Sequence, residues 1–243
     1  MSEKVKPYKN SGLNKKKQVE QMFDTISDDY DGLNRIITFR TDLSWRRKVI
    51  KMVANKNPNN ILDIATGTGD LAIQFAEKTQ IPSIVGLDLS EGMLKVARKK
   101  IIGSSLVDKV EFLKGDSEEL PFQDNSFEAI TVSFGIRNFE NLEKGLSEIK
   151  RVLTPGGIFV ILETSVPTKF PFNLGYKFYT KRMLPIIGRI FSKDKVAYQY
   201  LSESASVFPH GESLNNILRK IGFINLMNKP QTFGVATIYS ATK

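Results

Sequence analysis

Short apolar runs alternate with amphipathic segments along the middle of the chain. The runs predict strands, and the segments with apolar residues every three or four positions predict helices. The predicted strands cover 60–64, 83–88, 110–114, 127–133 and 157–163, and the helices between them cover 70–78, 91–101 and 141–152. This alternation is typical of a parallel sheet with helices on both faces.

Helical periodicity also precedes and follows this core. It covers 17–29 and 44–54 before the first strand, and 214–221 before two closing strands at 223–227 and 235–240. We therefore predict a single α/β domain with a doubly wound, mostly parallel sheet of seven strands. Its segments are a basic flexible arm (1–16), N-terminal helices (17–56), the core (57–165), an insertion (166–205) and a closing helix with two strands (206–243).

The turn after the first strand carries two glycines, in the sequence Asp63-Ile64-Ala65-Thr66-Gly67-Thr68-Gly69-Asp70. Gly67 and Gly69 permit a tight turn and let a ligand approach the backbone. The helix that follows begins with N–H groups that have no partner within it, and they point to the same place. The turn predicts a site for a nucleotide-sized ligand, although an ordinary turn with solvent-facing acids has the same composition.

Polar residues end the neighbouring strands at the same edge of the predicted sheet. Asp88, which follows Asp63 by 25 residues, suits hydrogen bonds from both ribose hydroxyls of a nucleoside. Asp116 suits the exocyclic amine of adenine, the Ser117 N–H suits a ring nitrogen, and Ser133 ends the fourth strand. Strand ends of this kind meet at the ligand crevice of doubly wound sheets.

The pattern indicates S-adenosylmethionine rather than a dinucleotide. The dinucleotide fingerprint needs a third glycine where Leu71 or Ala72 stands. Asp63 instead suits a cationic group, such as the ammonium of the methionine part. We therefore predict a nucleoside site that also includes this carboxylate and the backbone of Gly67.

Composition narrows the class of protein. The chain has 243 residues, of which 41% are hydrophobic, and it carries a formal charge of +9. Such a charge favours an anionic partner, which is nucleic acid, anionic lipid or an acidic substrate. The absence of cysteine excludes disulfides and thiolate metal sites. With no signal-peptide pattern and no apolar run near the ~20 residues of a membrane span, we expect a cytoplasmic protein.

Basic and aromatic residues are interleaved between Lys169 and Lys195, where seven basic residues stand against the single acid Asp194. This composition suits a segment that buries apolar side chains in a membrane interface while lysine and arginine meet phosphate head groups. It also suits a lid over an apolar pocket, or a packed helical insertion whose lysines extend to solvent.

Several motifs resemble those of the menaquinone/ubiquinone biosynthesis C-methyltransferases, along almost the whole chain. The first runs from Tyr30-Asp31-Gly32-Leu33-Asn34 through Asp42 to Trp45, and the second from Arg151 through Pro155-Gly156-Gly157 to Glu163-Thr164-Ser165. Phe134-Gly135-Ile136-Arg137-Asn138 and Thr232-Phe233-Gly234-Val235 are similar to the family as well. The chain departs from the first motif where Leu33 replaces Met, Thr38 replaces Ser and Asp42 replaces His.

The resemblance implies a class I, Rossmann-like methyltransferase that uses S-adenosylmethionine and no metal. It assigns cofactor contacts to Thr68, Asp88, Asp116, Ser117 and Ser133, whereas Asp63 and Gly67 are predicted from the residue pattern alone. The implied reaction converts demethylmenaquinol to menaquinol, the last step of menaquinone biosynthesis.

The expected acceptor is the reduced quinol, because the ring of a quinone is electron-poor. Candidate groups for handling its proton are Tyr30, Asp31, Asp42, Arg137 and Asn138. The structural alternatives are that Asp31 caps a helix and that Arg137 pairs with an acid. We interpret His210, the only histidine, as a turn residue.

Other functions stay open at this stage. They are methylation of a ubiquinone precursor, methylation of RNA or protein, a cofactor-binding regulatory module, and an NAD-dependent oxidoreductase. The chain lacks the Asn-Pro-Pro-aromatic tetrad expected for amino methylation of bases, and it lacks the third glycine of NAD enzymes. We expect a polyprenyl naphthoquinol as partner, no nucleic acid, and peripheral contact with the anionic inner face of the cytoplasmic membrane. Oligomeric state, prenyl length and the general base stay open.

Overall fold

A seven-stranded mixed sheet forms the centre of the molecule in a computed structural model, which describes residues 5–183 and 194–243. The strands are β1 (Asn60–Ile64), β2 (Ser83–Asp88), β3 (Val110–Lys114), β4 (Phe127–Ser133), β5 (Leu153–Thr164), β6 (Ile224–Gln231) and β7 (Ala236–Thr242). Their order is β3-β2-β1-β4-β5-β7-β6, with β1 to β5 parallel and β7 antiparallel to β5 and β6. The predicted α/β fold is confirmed.

Helices cover both faces of the sheet. They are α1 (Lys15–Ile26), α2 (Tyr30–Ile37), α3 (Thr41–Ala54), α4 (Asp70–Lys78), α5 (Glu91–Ile101), α6 (Leu142–Val152), α7 (Phe172–Phe178), α8 (Lys195–Val207) and α9 (Glu212–Ile221) in the described part of the chain. A π-helical turn, Tyr179–Met183, follows α7, and short 3₁₀ turns cover Ile136–Asn138 and Thr232–Gly234.

The central strands β1, β2, β4 and β5 are largely buried on both faces, which explains their near-continuous apolar runs. In β1, Ile61 belongs to the core under α3, α4 and α5, while Leu62 and Ile64 belong to the core under α6 and α9. Side chains alternate along a strand, so one short run supplies two cores. β1 lies between β2 and β4, where the chain changes direction, and ligands of such sheets bind in the crevice beyond these carboxyl ends.

A third core places the N-terminal helices over this crevice. Val19, Met22 and Ile26 of α1 and Leu33 of α2 pack with Tyr200 of α8. The helix begins earlier than the sequence periodicity indicates, because the side chain of Asn14 accepts a hydrogen bond from the Lys17 N–H and caps it.

The segment predicted as a flexible arm makes specific contacts beyond residue 4. The Tyr8 hydroxyl donates to Asp194, and the buried ammonium of Lys15 donates to the carbonyls of Arg137 and Phe139, each at 2.9 Å. Residues 1–4 lie outside the described part of the chain. The boundary at residue 16 therefore does not separate an arm from the domain.

The predicted insertion over 166–205 contains α7, the π-helical turn and α8. Its stretch 184–193, with Arg189 and Lys193, lies outside the described residues. Among the helices that are described, none is long and apolar enough to cross a bilayer. The choice between lid and membrane contact therefore rests on α7 and the residues beside it.

We expect Gly69→Ala to lower the free energy of unfolding by about 2–4 kcal/mol. Gly69 has φ of +77°, and a Cβ there would lie 2.6 Å from Cζ of Phe112. The energetic cost of backbone strain is therefore added to that of a steric clash. Gly103→Ala is the control, because Gly103 has φ of +76° with open space around it, and we expect a loss of about 1–2 kcal/mol. Urea unfolding followed by circular dichroism measures both; equal losses would mean that the Phe112 ring does not constrain the turn.

Candidate active site

The glycine turn after β1 is fastened to the neighbouring strand β2. The Thr66 N–H donates to the Leu87 carbonyl, and the Gly67 N–H donates to Oδ2 of Asp88 at 2.8 Å. Ala65, Gly67 and Gly69 have φ values of +53°, +60° and +77°. The turn thus takes a conformation that favours glycine and holds its backbone against the end of β2.

Asp88 ends β2 as a buried carboxylate that links two turns. Its Oδ1 accepts the Ser90 N–H at 2.9 Å and its Oδ2 accepts the Gly67 N–H. Burial raises the pKa of Asp88 from 3.8 to about 6, although both backbone hydrogen bonds favour the charged form. Backbone donors therefore hold the carboxylate in place while each oxygen keeps acceptor capacity.

Asp63 is fixed by two threonine hydroxyls. Thr131 donates to Oδ1 at 2.6 Å and Thr66 donates to Oδ2 at 2.7 Å. Burial raises the pKa of Asp63 to about 6, against these hydrogen bonds and the charge of Arg46. Asp63 lines a small cavity beside the glycine turn, and the contact with a ligand ammonium stays a prediction.

One cavity brings together most of the predicted cofactor residues. Its lining includes Gly67, Asp88, Asp116, Ser117 and Ser133 at the carboxyl ends of the strands. Asp63 and Thr68 line the small cavity beside it, which shares Gly67 and Ser133 with the first. The predicted set therefore lies around two adjoining spaces.

Helix α1 closes the first cavity, and the sequence pattern did not predict this. Val19 and Phe23 form part of its wall, and the Lys16 ammonium binds Oδ2 of Asp116. An adenine amine at Asp116 would share that carboxylate with Lys16. The spacing of apolar residues in α1, together with the Asn14 cap, was the available signal.

A network of ion pairs joins α2 and α3 to the glycine turn. Thr68 donates to Oδ1 of Asp31 at 2.6 Å, and Lys100 binds both Asp31 and Asp70. Arg35 bridges Asp70 and the buried carboxylate of Asp42. Asp31 and Asp42, two candidates for the base, are thus engaged by cationic groups, and Asp31 is absent from the lining of the large cavity described next.

A large, mostly apolar cavity adjoins the first one. It has a volume of about 470 Å³, within the range of sites for small ligands. Tyr30 and Phe134 line both cavities and form the wall between them. Trp45 also lines the large cavity, and its indole N–H donates to Oγ1 of Thr232 at 2.9 Å. This bond joins two of the motifs that carry the family resemblance.

Arg137 supplies a buried cation to the large cavity. Its Nη1 donates to Oε1 of Glu163 at 2.5 Å and to the Phe134 carbonyl at 2.7 Å. Arg137 therefore pairs with an acid, which is the structural alternative predicted for it. It lines the cavity as well. Within the described chain, Nε of Arg137 and Oε2 of Glu163 have no hydrogen-bond partner, so the pair keeps donor and acceptor capacity.

Asn138 lies on the cofactor side of the same turn. Its Oδ1 accepts a hydrogen bond from the Tyr200 hydroxyl at 3.1 Å, and it lines the first cavity. The Lys15 ammonium binds the carbonyls on either side, at Arg137 and Phe139. Groups from α1 and α8 thus position this turn. His210 precedes α9 and lines neither cavity, as expected for a turn residue.

Exposed phenylalanines surround the mouth of the large cavity. Phe39 and Phe233 line it and yet are 69% and 68% exposed. Phe233 stacks on Phe172 of α7 with ring centroids 3.9 Å apart. Phe39, Phe134 and Phe233 all have positive φ, between 49° and 58°, which is unfavourable for phenylalanine. Three strained phenylalanines at one cavity mark it as a functional feature.

Comparisons with known proteins show which proteins the chain is similar to. A sequence model of the ubiE/COQ5 methyltransferase family matches residues 11–243. The chain is 46% identical to a demethylmenaquinone methyltransferase of Bacteroides fragilis, over 99% of this chain and 98% of that protein. It is 42% identical to a ubiquinone/menaquinone biosynthesis C-methyltransferase UbiE of Geobacter sulfurreducens, over 94% of this chain and 90% of that one.

Among solved structures, the chain is similar to a SAM-dependent methyltransferase of Thermotoga maritima described as a possible histamine N-methyltransferase. The TM-score is 0.64 at 20% identity, over 92% of this chain and 99% of that one. At this identity the likeness concerns the fold alone.

We expect the affinity for S-adenosylmethionine to fall about tenfold for each pH unit below about 6, where Asp88 takes up a proton. Asp88→Asn should bind weakly at pH 7.5 and show a shallower dependence on pH. Calorimetric titration between pH 5 and 8 measures both.

Thermal unfolding at each pH is the control. The pKa of Asp88 is higher in the folded chain than its ordinary 3.8, so this group stabilises the fold as the pH falls from 6 to 4. The carboxyl groups with lowered pKa values, such as Asp70 and Glu20, act in the opposite direction, so a melting temperature that is maintained in this window is what separates lost binding from unfolding. An affinity that is independent of pH would remove Asp88 from the ligand contacts.

Proposed function

The chain belongs to the ubiE/COQ5 methyltransferase family, and from this membership and its paired cavities we propose that it methylates a ring carbon of demethylmenaquinol to give menaquinol. The methyl donor is S-adenosylmethionine. The observation that carries the proposal is the shared wall of Tyr30 and Phe134, with strand-end polar groups on one side and a cavity of about 470 Å³ on the other.

The groups that line the first cavity suit a nucleoside with a charged tail. Asp88 offers a fixed carboxylate for ribose hydroxyls, and Asp116 with the Ser117 N–H suits the adenine edge. The hydroxyl oxygen of Ser133 is buried and has no partner among the described residues, as expected where a ligand supplies one. When bound, S-adenosylmethionine supplies an electrophilic methyl group.

The large cavity fits a naphthoquinol and the start of its prenyl tail. Aromatic side chains make up much of its lining, and Arg137 and Thr164 add polar groups at the inner end. The buried charge of Arg137, held by Glu163, stabilises a phenolate oxygen. Loss of the phenolic proton to water makes the neighbouring ring carbon nucleophilic, which is why the reduced quinol is the competent acceptor. That carbon takes the methyl group as the methyl–sulfur bond breaks and its electron pair stays on sulfur, and loss of the ring proton then restores the aromatic quinol.

Tyr30 and Asn138 position the ring rather than take its proton. Burial raises the pKa of Tyr30, so the phenol stays neutral at pH 7 and donates a hydrogen bond. Asn138 is oriented by Tyr200 at the border of the cofactor cavity. In this proposal Arg137 lowers the free energy of forming the phenolate, and the neutral side chains of Tyr30 and Asn138 align the quinol ring.

The proposal predicts transfer of label from methyl-labelled S-adenosylmethionine to demethylmenaquinol, and at least about a hundredfold less to the oxidised quinone, because only the quinol yields a phenolate. Arg137→Met should keep cofactor affinity and lose about a hundredfold in rate. Incubation with quinol, quinone, a benzoquinol and bulk RNA, followed by chromatography, measures this.

Label in RNA but not in quinol would overturn the proposed acceptor. Equal transfer to quinone and quinol would overturn the mechanism while leaving the acceptor class intact. The benzoquinol arm is included because the printed name of the Geobacter sulfurreducens relative covers ubiquinone as well as menaquinone.

We further propose that the phenylalanine rim (Phe39, Phe172 and Phe233) rests on the anionic inner face of the cytoplasmic membrane, with the rest of the protein in the cytoplasm. Phe170, Leu174 and Phe178 of the α7 segment are exposed as well, so the apolar surface continues beyond the cavity mouth. A prenyl tail would pass from the lipid into the cavity without crossing water, and burying these rings in lipid removes apolar area from solvent.

We expect Phe39→Ala/Phe233→Ala to reduce binding to vesicles of anionic lipid at least about tenfold, since two exposed rings no longer insert. Flotation with phosphatidylglycerol vesicles, at low and high salt, measures it. Ile102→Ala is the matched control, because Ile102 is 73% exposed and follows α5 at the opposite edge of the sheet.

Equal flotation of the double variant and the wild type would exclude the rim as the membrane contact. Binding that does not weaken with salt would show that lysine and arginine add nothing to it.

A further inference from the structure

A mostly buried arginine, Arg46, stands beside the glycine turn, and among the described residues its Nε has no hydrogen-bond partner. Arg46 belongs to α3, and its side chain is only 11% exposed. Within the described chain its Nε is buried and unpaired, and the nearest carboxylate oxygen, Oδ2 of Asp42, is 3.7 Å away. The guanidinium also lies 5.6 Å from the ring centroid of Phe134. A buried cation in this state is costly unless a ligand completes its contacts.

The acids around Arg46 are engaged by other groups. Asp42 binds Arg35 and the Thr38 hydroxyl, and Asp70 binds Arg35 and Lys100. Asp63 accepts two threonine hydroxyls. The charge of Arg46 nevertheless acts on both Asp63 and Asp70. Burial raises the pKa of Asp63 to about 6 against this charge, whereas at Asp70 burial is outweighed by the cationic neighbours, with Arg46 first among them, and the pKa is lowered. Arg46 is thus surrounded by negative charge, and within the described chain its Nε still has no hydrogen-bond acceptor.

The cavity at Arg46 is continuous in its lining with the nucleoside cavity. Gly67, Ser133 and Tyr30 line both, and Asp63 and Arg46 face the small one. A carboxylate and a guanidinium in one polar space match the ammonium and carboxylate of an α-amino acid. Each oxygen of Asp63 has a further lone pair for an ammonium, and the planar donors of Arg46 match a carboxylate.

We propose that Arg46 binds the α-carboxylate of the methionine part of S-adenosylmethionine. The inference rests on the proposed function only because it assumes that S-adenosylmethionine is the ligand. Arg46 also lines the large cavity, so an oxygen of the acceptor ring is the competing partner. The carboxylate is favoured because it carries full charge whenever the donor is bound, whereas Arg137 already supplies a cation to the acceptor.

The test compares two ligands that differ in this one group. Calorimetry measures the dissociation constants of S-adenosylmethionine and of its decarboxylated form for the wild type, Arg46→Met, Arg46→Lys and Arg47→Met. Arg47 is exposed on the same helix and is the matched control. We expect the wild type to bind the decarboxylated ligand about 10–100-fold more weakly. Arg46→Met should lose that preference by binding S-adenosylmethionine correspondingly more weakly, Arg46→Lys should restore part of it, and Arg47→Met should match the wild type.

Three results would overturn the proposal. One is that the wild type binds both ligands equally, a result that does not depend on any variant being folded. Another is an Arg46→Met variant that weakens both ligands by the same factor, since that is a structural effect. The third is unchanged cofactor binding with a raised KM for the quinol, which assigns Arg46 to the acceptor. Because binding is measured without turnover, absent quinol methylation would contradict the proposed function and leave this inference intact.

Discussion

The parallel pairing of β1 between β2 and β4 is the constraint on which the rest of the structure depends. With Ile64 opposite both Leu87 and Val132, three carboxyl ends finish at one level, and the chain leaves β1 and β4 toward different faces. The crevice between these turns exists because neither turn fills it. The Gly67 N–H bound to Asp88 and the Phe134 N–H bound to the Leu162 carbonyl fasten the turns to the outer neighbours β2 and β5. Polar groups at the strand ends are therefore fixed before any ligand binds.

The N-terminal helices convert this generic crevice into two compartments. Ion pairs of Arg35 and Lys100 join α2 and α3 to the glycine turn, and partly buried pairs of this kind cost most when one partner is missing. These ion pairs position α2 and therefore Tyr30, which together with Phe134 separates the first cavity from the large apolar cavity. The positive φ of Phe134 fits this account, because the strained backbone turns its ring into the dividing wall.

Local patterns predicted the central strands well because these are buried on both faces, whereas the mostly exposed edge strand β6 runs to Gln231, beyond the predicted 223–227. β1, β2, β3 and β4 begin and end where the apolar runs do, whereas β5 begins at Leu153, upstream of the run. The Pro155-Gly156 step carries no strand signal, and it lies in an irregular stretch of β5 between the pairs of Leu153 and Ile158 with β4. Strand-end acids were predictable since topology alone brings them together. Lys16, Lys15 and Arg46 were not, because their roles depend on how helices with ordinary amphipathic patterns lie over the crevice.

The division into two compartments follows from the opposite solvation needs of the two substrates. A zwitterionic sulfonium requires fixed charges and hydrogen bonds, while a polyprenyl quinol requires a path with little water. The protein meets both needs by placing its charged groups at the strand ends and its phenylalanines at the mouth, so that one wall is common to the two spaces. Arg137 is a buried cation on the apolar side, in a lining that also includes Asp42 and Arg46, and Glu163 makes its burial tolerable. In the proposed reaction this charge stabilises the phenolate, which is the one anion that the acceptor brings into the apolar compartment.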